Sequence, residues 1–312
     1  MTLRLLGHVD LPPHLRDGGF DHAAVHHGSL LLYVAHTSND TVDVLSCADD
    51  KYRWSIPNLR GAAGVLIDED QKLVFTSNRA EDTVGILGVG TRSIATKVRV
   101  GLRPNGLAFD PSRNLLAVAN VGDPEIPHST TVSLVDVGTR SLASNLEVPG
   151  RTRWALFDRT LERFFVNIAE PAMIVVMEAD DPARIAASYP VPAKGPHGLD
   201  IDSKRGRLFC ACDEGTLVTV DSTTGEALHK TGLSGQPDVI FFNPSLHHLY
   251  VAVGKPGVID VIDTDTLELI ETRPTEDGAH TIAFDGDRNK VYAFLPRGHR
   301  AAVYQDTEEV AR

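Results

Sequence analysis

The sequence is short of positive charge. Its 42 Asp and Glu outnumber 30 Lys and Arg, for a net charge of −12. An acidic surface repels phosphate backbones, so general nucleic-acid binding is not expected. Long apolar runs are also missing. The stretch "MTLRLLGHVDLPPHLRDGG" is broken by Gly7, His8 and Asp10 before it reaches the length of a secretory leader. No window reaches transmembrane length either, so a cytoplasmic protein without membrane contact is expected. Cysteine is scarce. Cys47, Cys210 and Cys212 are odd in number and lack small-domain spacing, which argues against a disulfide framework. Cys210 and Cys212 stand two apart on an expected strand and share one face. They read as packing residues, with a metal or redox role as the alternative.

Familiar catalytic motifs are absent as well. "GVGTRS" at 88–93 reads as a turn rather than a phosphate loop. No G-x-S-x-G elbow is present. Any chemistry must come from residues gathered by the fold.

What the sequence does contain is a repeat. "PHGLDID" at 196–202 has relatives in "DHAAVHH", "AAGVLID", "PNGLAFD", "RWALFD", "PDVIFFN" and "AHTIAFD". One position marks each copy: His22, Ala63, Asn105, Trp154, His197, Asp238 and His280. The steps are 41, 42, 49, 43, 41 and 42 residues. Each copy continues through a turn into an apolar strand such as "KLVFTSN", then a third strand such as "TVSLVDV", then a more polar fourth. Four short strands per unit of about 42 residues is the signature of a β-propeller blade. The expectation is an all-β fold: one domain over residues 1–312, with seven four-stranded blades. The seventh unit lacks a fourth strand, and "LRLLGHVDL" has no unit of its own. Pairing the two closes the ring and removes an open sheet edge.

"NGLAFDPSRNLLAVANVG" and "VIDVIDTDTLELIETRPT" resemble YVTN-type seven-bladed propellers, a superfamily with lactonase-like and virginiamycin B lyase-like members. The resemblance spans almost the whole chain. It implies the fold and leaves the function open, because propellers host enzymes, carriers and scaffolds.

In such a blade the first strand lines the central channel and the marker residue sits at its mouth. Blades five, six, seven and one carry His197, Asp238, His280 and His22 there, contiguous once the ring closes. Imidazoles converging beside a carboxylate suit a divalent metal, zinc first, with Mn, Fe or Ni also compatible. His22, His197 and His280 are the expected ligands, and Asp238 a fourth ligand, partner or base. Peptidyl-hydroxyglycine lyases, six-bladed propellers, are similar in placing metal-binding histidines at equivalent strand mouths. Virginiamycin B lyase-like proteins imply a divalent ion that polarises a substrate during elimination. The alternative is a watery channel whose histidines bond backbone carbonyls and water.

Further candidates come from loops on the same face. Arg297, His299 and Glu170 are expected catalytic groups. Asn105, Arg103, His36 and Trp154 are expected to bind substrate, Trp154 either as a stacking wall or as a plug. Arg60, Arg103, Arg153 and Lys194 suggest a cationic rim, hence an anionic small molecule. The long step in blade three places "NVGDPEIPHSTT" as a lid, with His128 on it. The leading expectation is a metal-dependent lyase or lactone-type hydrolase. The rivals are a non-catalytic propeller that binds a protein or peptide, and a metal-binding protein without turnover.

Overall fold

The computed structural model describes residues 2–307. It forms seven sheets of four antiparallel strands each, arranged as blades in a ring. The inner strands are Phe20–His26, Ala62–Asp68, Pro104–Asp110, Thr152–Asp158, Pro196–Asp202, Gln236–Asn243 and Thr281–Asp285. Those of neighbouring blades touch around the channel. Leu3–Asp10 pairs antiparallel with Arg300–Asp306 and is the outermost strand of blade seven, so the ring closes as the repeat requires. Among the described residues, no helix is long and apolar enough to cross a membrane.

The core is not a single body. Seven apolar clusters lie between blades, one at each junction. Phe75, Val84 and Ile86 of blade two meet Leu107 and Leu116 of blade three, for example, while Phe165 and Ile174 of blade four meet Leu199 and Cys210 of blade five. Both faces of each blade are therefore covered. This is why the middle strands read as continuous apolar runs while outermost strands such as Ser141–Glu147 are largely exposed. All three cysteines are buried and free within these layers.

The carboxylate that ends most inner strands has a local purpose. Asp158 Oδ1 accepts the N–H groups of Thr160 and Leu161, both at 2.7 Å, and Asp110 Oδ1 accepts that of Ser112 at 2.9 Å. A short polar side chain that bonds the backbone two or three residues on closes the turn into the second strand. The recurring "FD" of the repeat is thus a turn device.

Candidate functional site at the channel mouth

Six of the seven inner strands break register at the marker. The shifts fall at Phe20/Ala23, Ala62/Val65, Pro104/Leu107, Thr152/Ala155, Pro196/Gly198 and Pro237/Ile240. A β-bulge re-aims the side chain it carries. Here it presents His22, Asn105, His197 and Asp238 to the channel, and His280 enters just ahead of Thr281–Asp285. A glycine follows the marker in blades two, three and five for a steric reason. A Cβ on Gly64, Gly106 or Gly198 would lie 2.3, 2.5 or 2.2 Å from a carbonyl oxygen of the next blade's Asn105, Arg153 or Asp238.

These side chains border one polar cavity of about 200 Å³ with Asp21, Arg79, Arg103, Arg151 and Arg153. His197 is its best-organised member. Its Nδ1 bonds Asp213 Oδ1 at 2.7 Å. With Nδ1–H donating there, Nε2 presents a lone pair, to which Arg153 Nη1 donates at 3.2 Å. Asp238 Oδ1 also stands 3.1 Å from Nε2, within ion-pair reach, yet it is buried without a hydrogen bond. Two lone-pair-bearing atoms this close and without a hydrogen bond between them favour a cation alongside. His280 turns Nε2 to the Phe20 carbonyl at 3.1 Å and leaves Nδ1 3.7 Å from Asp238 Oδ2.

The charges oppose burial. Desolvation pushes the Asp238 carboxyl up, but His197, His280, His22 and Arg153 together outweigh it and hold it below the usual carboxylate range. Asp213 follows the same logic, with burial overcome by the hydrogen bond and charge of His197 and by Arg153. His22 goes the other way. Burial dominates and lowers its pKa despite Asp21 and Asp238, so it is neutral at neutral pH. Arg151 is also lowered, first by desolvation and then by repulsion from Arg153, Arg103 and Arg79. Arg79 is balanced by Asp21 at 3.4 Å and Arg153 by Asp213 at 3.2 Å. Among the described residues, neither Arg103 nor Arg151 has a carboxylate within ion-pair distance.

Trp154 and His22 form the floor. Their rings lie 4.2 Å apart at 39°. Trp154 reaches across from blade four and borders only the cavity below, of about 260 Å³, while His22 borders both.

Other expected residues stand elsewhere. His36 is fully buried, with Nδ1 2.7 Å from Asp43 Oδ2. It packs with His299 around His14, whose ring centroid is 4.9 Å from that of His36 and 4.4 Å from that of His299. The segment from Leu11 to Gly19 brings His14 into this group and is tied to it by the Leu11 N–H on the His299 carbonyl at 2.9 Å, an arrangement that loop order alone does not convey. Arg297 is exposed and pairs with Asp277, and Glu170 is exposed, so neither borders the mouth cavity. His128 is exposed and bonds Glu147 at 2.6 Å. Arg60 and Lys194 do not border the mouth cavity either, whereas Arg103 and Arg153 do. Asn105 accepts a bond from Arg79 at 2.5 Å.

Sequence reading missed Arg151, Asp21 and the role of Asp213. Arg151 had a signal. In "RTRW", positions 151 and 153 share one side of an extended approach.

His22, His197 and His280 all reach the mouth, but each has ring-nitrogen partners of its own. Among the described residues, no group of three or more His, Cys, Asp or Glu is arranged to hold a metal ion. The pair that fits a cation best is His197 with Asp238, because Asp213 orients the imidazole from behind as such partners do for metal-binding histidines.

No family model and no curated protein matches the sequence. Solved structures do match over nearly the full chain. One is titled Kuenenia stuttgartiensis Hydrazine Synthase, with TM-score 0.82, 13% identity, and coverage of 96% of this chain and 97% of that one. Another is titled Crystal Structure of Mitotic Checkpoint Complex, with TM-score 0.81, 11% identity, and coverage of 97% and 92%. At such identities the likeness is one of fold. One title names an enzyme and the other a checkpoint assembly, so the comparisons leave catalysis and binding equally open, and the chain stands as a seven-bladed β-propeller.

Proposed function

We propose that the channel mouth binds a small anionic molecule, a carboxylate or phosphate, and acts on it as a lyase or lactone-type hydrolase. One observation carries the reading. Four guanidinium groups, of Arg79, Arg103, Arg151 and Arg153, border one small cavity with the His197–Asp238 pair, and among the described residues two of them have no carboxylate within ion-pair distance. Crowded cations in a protein of net charge −12 are costly unless an anion joins them. Arginine suits carboxylate and phosphate because its donors form a planar fork. Asp238, ionised at neutral pH, is the base facing that anion, and His197 its partner in proton transfer. The exposed large apolar side chains favour this over a peptide at the mouth. Apart from Leu15 and Ile126, they stand on outermost strands.

A second reading adds a divalent ion between Asp238 and His197, with His280 beside them. The unbonded Asp238 Oδ1 favours it. The ion would supply Lewis-acid polarisation of the substrate.

Titration calorimetry with phosphate and acetate tests the anion site. The parent should bind one anion per chain, and Arg151→Ala should weaken it about tenfold. Absence of binding to the parent would overturn the reading. Elemental analysis of the parent beside a His197→Ala, His280→Ala variant separates the second reading. Near-stoichiometric metal, lost in the variant, supports it. No metal after incubation with Zn²⁺, Mn²⁺, Fe²⁺ and Ni²⁺ removes it. Lactones and elimination substrates, assayed with Asp238→Asn as the inactive control, then test turnover.

A further inference from the structure

A second cavity, of about 410 Å³, adjoins the mouth under the blade-three insertion. Arg103, Val121 and Arg151 border both spaces. The remaining wall includes Pro124, Ile126 and Thr130 from the segment 121–130, which replaces connections such as 79–82 in blade two. This segment is pinned to itself. Ser129 Oγ accepts the Asp123 N–H at 2.8 Å and donates to the Asp123 carbonyl at 2.9 Å, while Ile126 N–H bonds the same carbonyl at 3.0 Å. Arg103 Nη1 reaches the Gly122 carbonyl at 3.4 Å, tying the segment to the cationic cluster. The space is therefore preformed, larger than the mouth cavity, and flanked at its junction by Arg103 and Arg151, the two cluster arginines without a carboxylate in ion-pair reach among the described residues. Ile126 is 49% exposed, an apolar side chain left half open to solvent.

We infer that the ligand is an amphiphilic anion: its charged head lies among Arg79, Arg103, Arg151 and Arg153, and its apolar segment runs past Val121 under Ile126. The inference rests on the anion reading above and adds the body of the molecule to its head. The insertion is then the specificity element. A phosphate or acetate occupies the mouth alone, whereas a medium-chain carboxylate also removes the Ile126, Pro124 and Val121 surface from water. Each methylene buried on both sides raises affinity about fourfold, and less where one side stays open.

Calorimetry with acetate, butyrate, hexanoate and octanoate provides the test. Octanoate should bind the parent roughly tenfold or more tightly than acetate. Ile126→Asp should collapse that ratio towards one, and Ile126→Leu should keep it, which distinguishes lost apolar cover from a damaged loop. Arg151→Ala should weaken every member of the series. If acetate and octanoate bind the parent equally, or if Ile126→Asp leaves the ratio intact, the tail site is refuted while the anion site stands. If no member binds, both fail together.

Discussion

Replacing Gly198 by Ala is the sharpest test of how the site is built. The glycine follows His197 in the bulge of blade five, and its φ lies outside the left-handed region, so alanine meets no backbone penalty. The obstacle is the neighbouring blade. The new Cβ would stand 2.2 Å from the Asp238 carbonyl oxygen, where ordinary contact begins at 3.4 Å. The blades would have to part by roughly 1 Å to reach ordinary contact. Asn167 Nδ2 donates to the His197 and Gly198 carbonyls at 3.0 and 3.2 Å, so blade five yields little. Overpacking of this kind costs about 1–3 kcal/mol, and a backbone obstacle places it near the top of that range. For a chain of 312 residues, about 1.5 °C of Tm is lost per kcal/mol, which gives a fall of about 3–5 °C. The same shift would pull Asp238 from its 3.1 Å approach to His197, so anion affinity should fall with stability. Gly232→Ala is the control, since nothing lies within 4 Å of its added Cβ. Differential scanning calorimetry reads both variants. A Gly198→Ala protein that melts within 1 °C of the parent would refute the close-approach argument.

Two further outcomes are expected. The pKa of His14 is lowered to about 4, mainly by burial and then by repulsion from His36 and His299, with Asp43 opposing. A histidine that protonates less readily when folded costs nothing above its unfolded value and destabilises the fold as pH falls from about 6.5 to about 4. With solvent access discounted, that loss is about 1–2 kcal/mol. His14→Gln should therefore flatten the Tm-against-pH curve in this window, and parallel curves would contradict it. The thiols give the other. Cys47, Cys210 and Cys212 are buried, and burial pushes the Cys47 thiol up to about 12. A thiol-reactive chromogenic disulfide should label none of them in the native protein and three per chain in denaturant. Fast native labelling of any one would show that its blade junction opens.

The ring was legible in the sequence because each blade repeats the same physical problem. The marker position, the turn carboxylate and the two apolar middle strands recur at one spacing, so seven weak signals reinforce one another. The contiguous arc of His197, Asp238, His280 and His22 followed from that register. Partner choice did not. Asp213 reaches His197 from a neighbouring connection, and Arg151 joins the cluster through the course of one loop. His36 illustrates the limit. It lies one strand from the mouth by counting, yet Asp43 and His14 hold it inside a blade junction. Such placements depend on where a connecting segment crosses, and a periodic pattern does not encode that.

The pairing of Leu3–Asp10 with Arg300–Asp306 has a consequence for how the molecule is made. The first of these strands leaves the ribosome long before its partner exists. Through most of synthesis it remains an unpaired ribbon with free edge amides. Joining segments nearly 300 residues apart carries a chain-entropy cost of about 5 kcal/mol beyond a constant, were the intervening chain unfolded. Six blades already stacked shorten that search, because they bring blade seven round to face the waiting strand. Until that pair forms, both strands keep an open edge that another strand can capture.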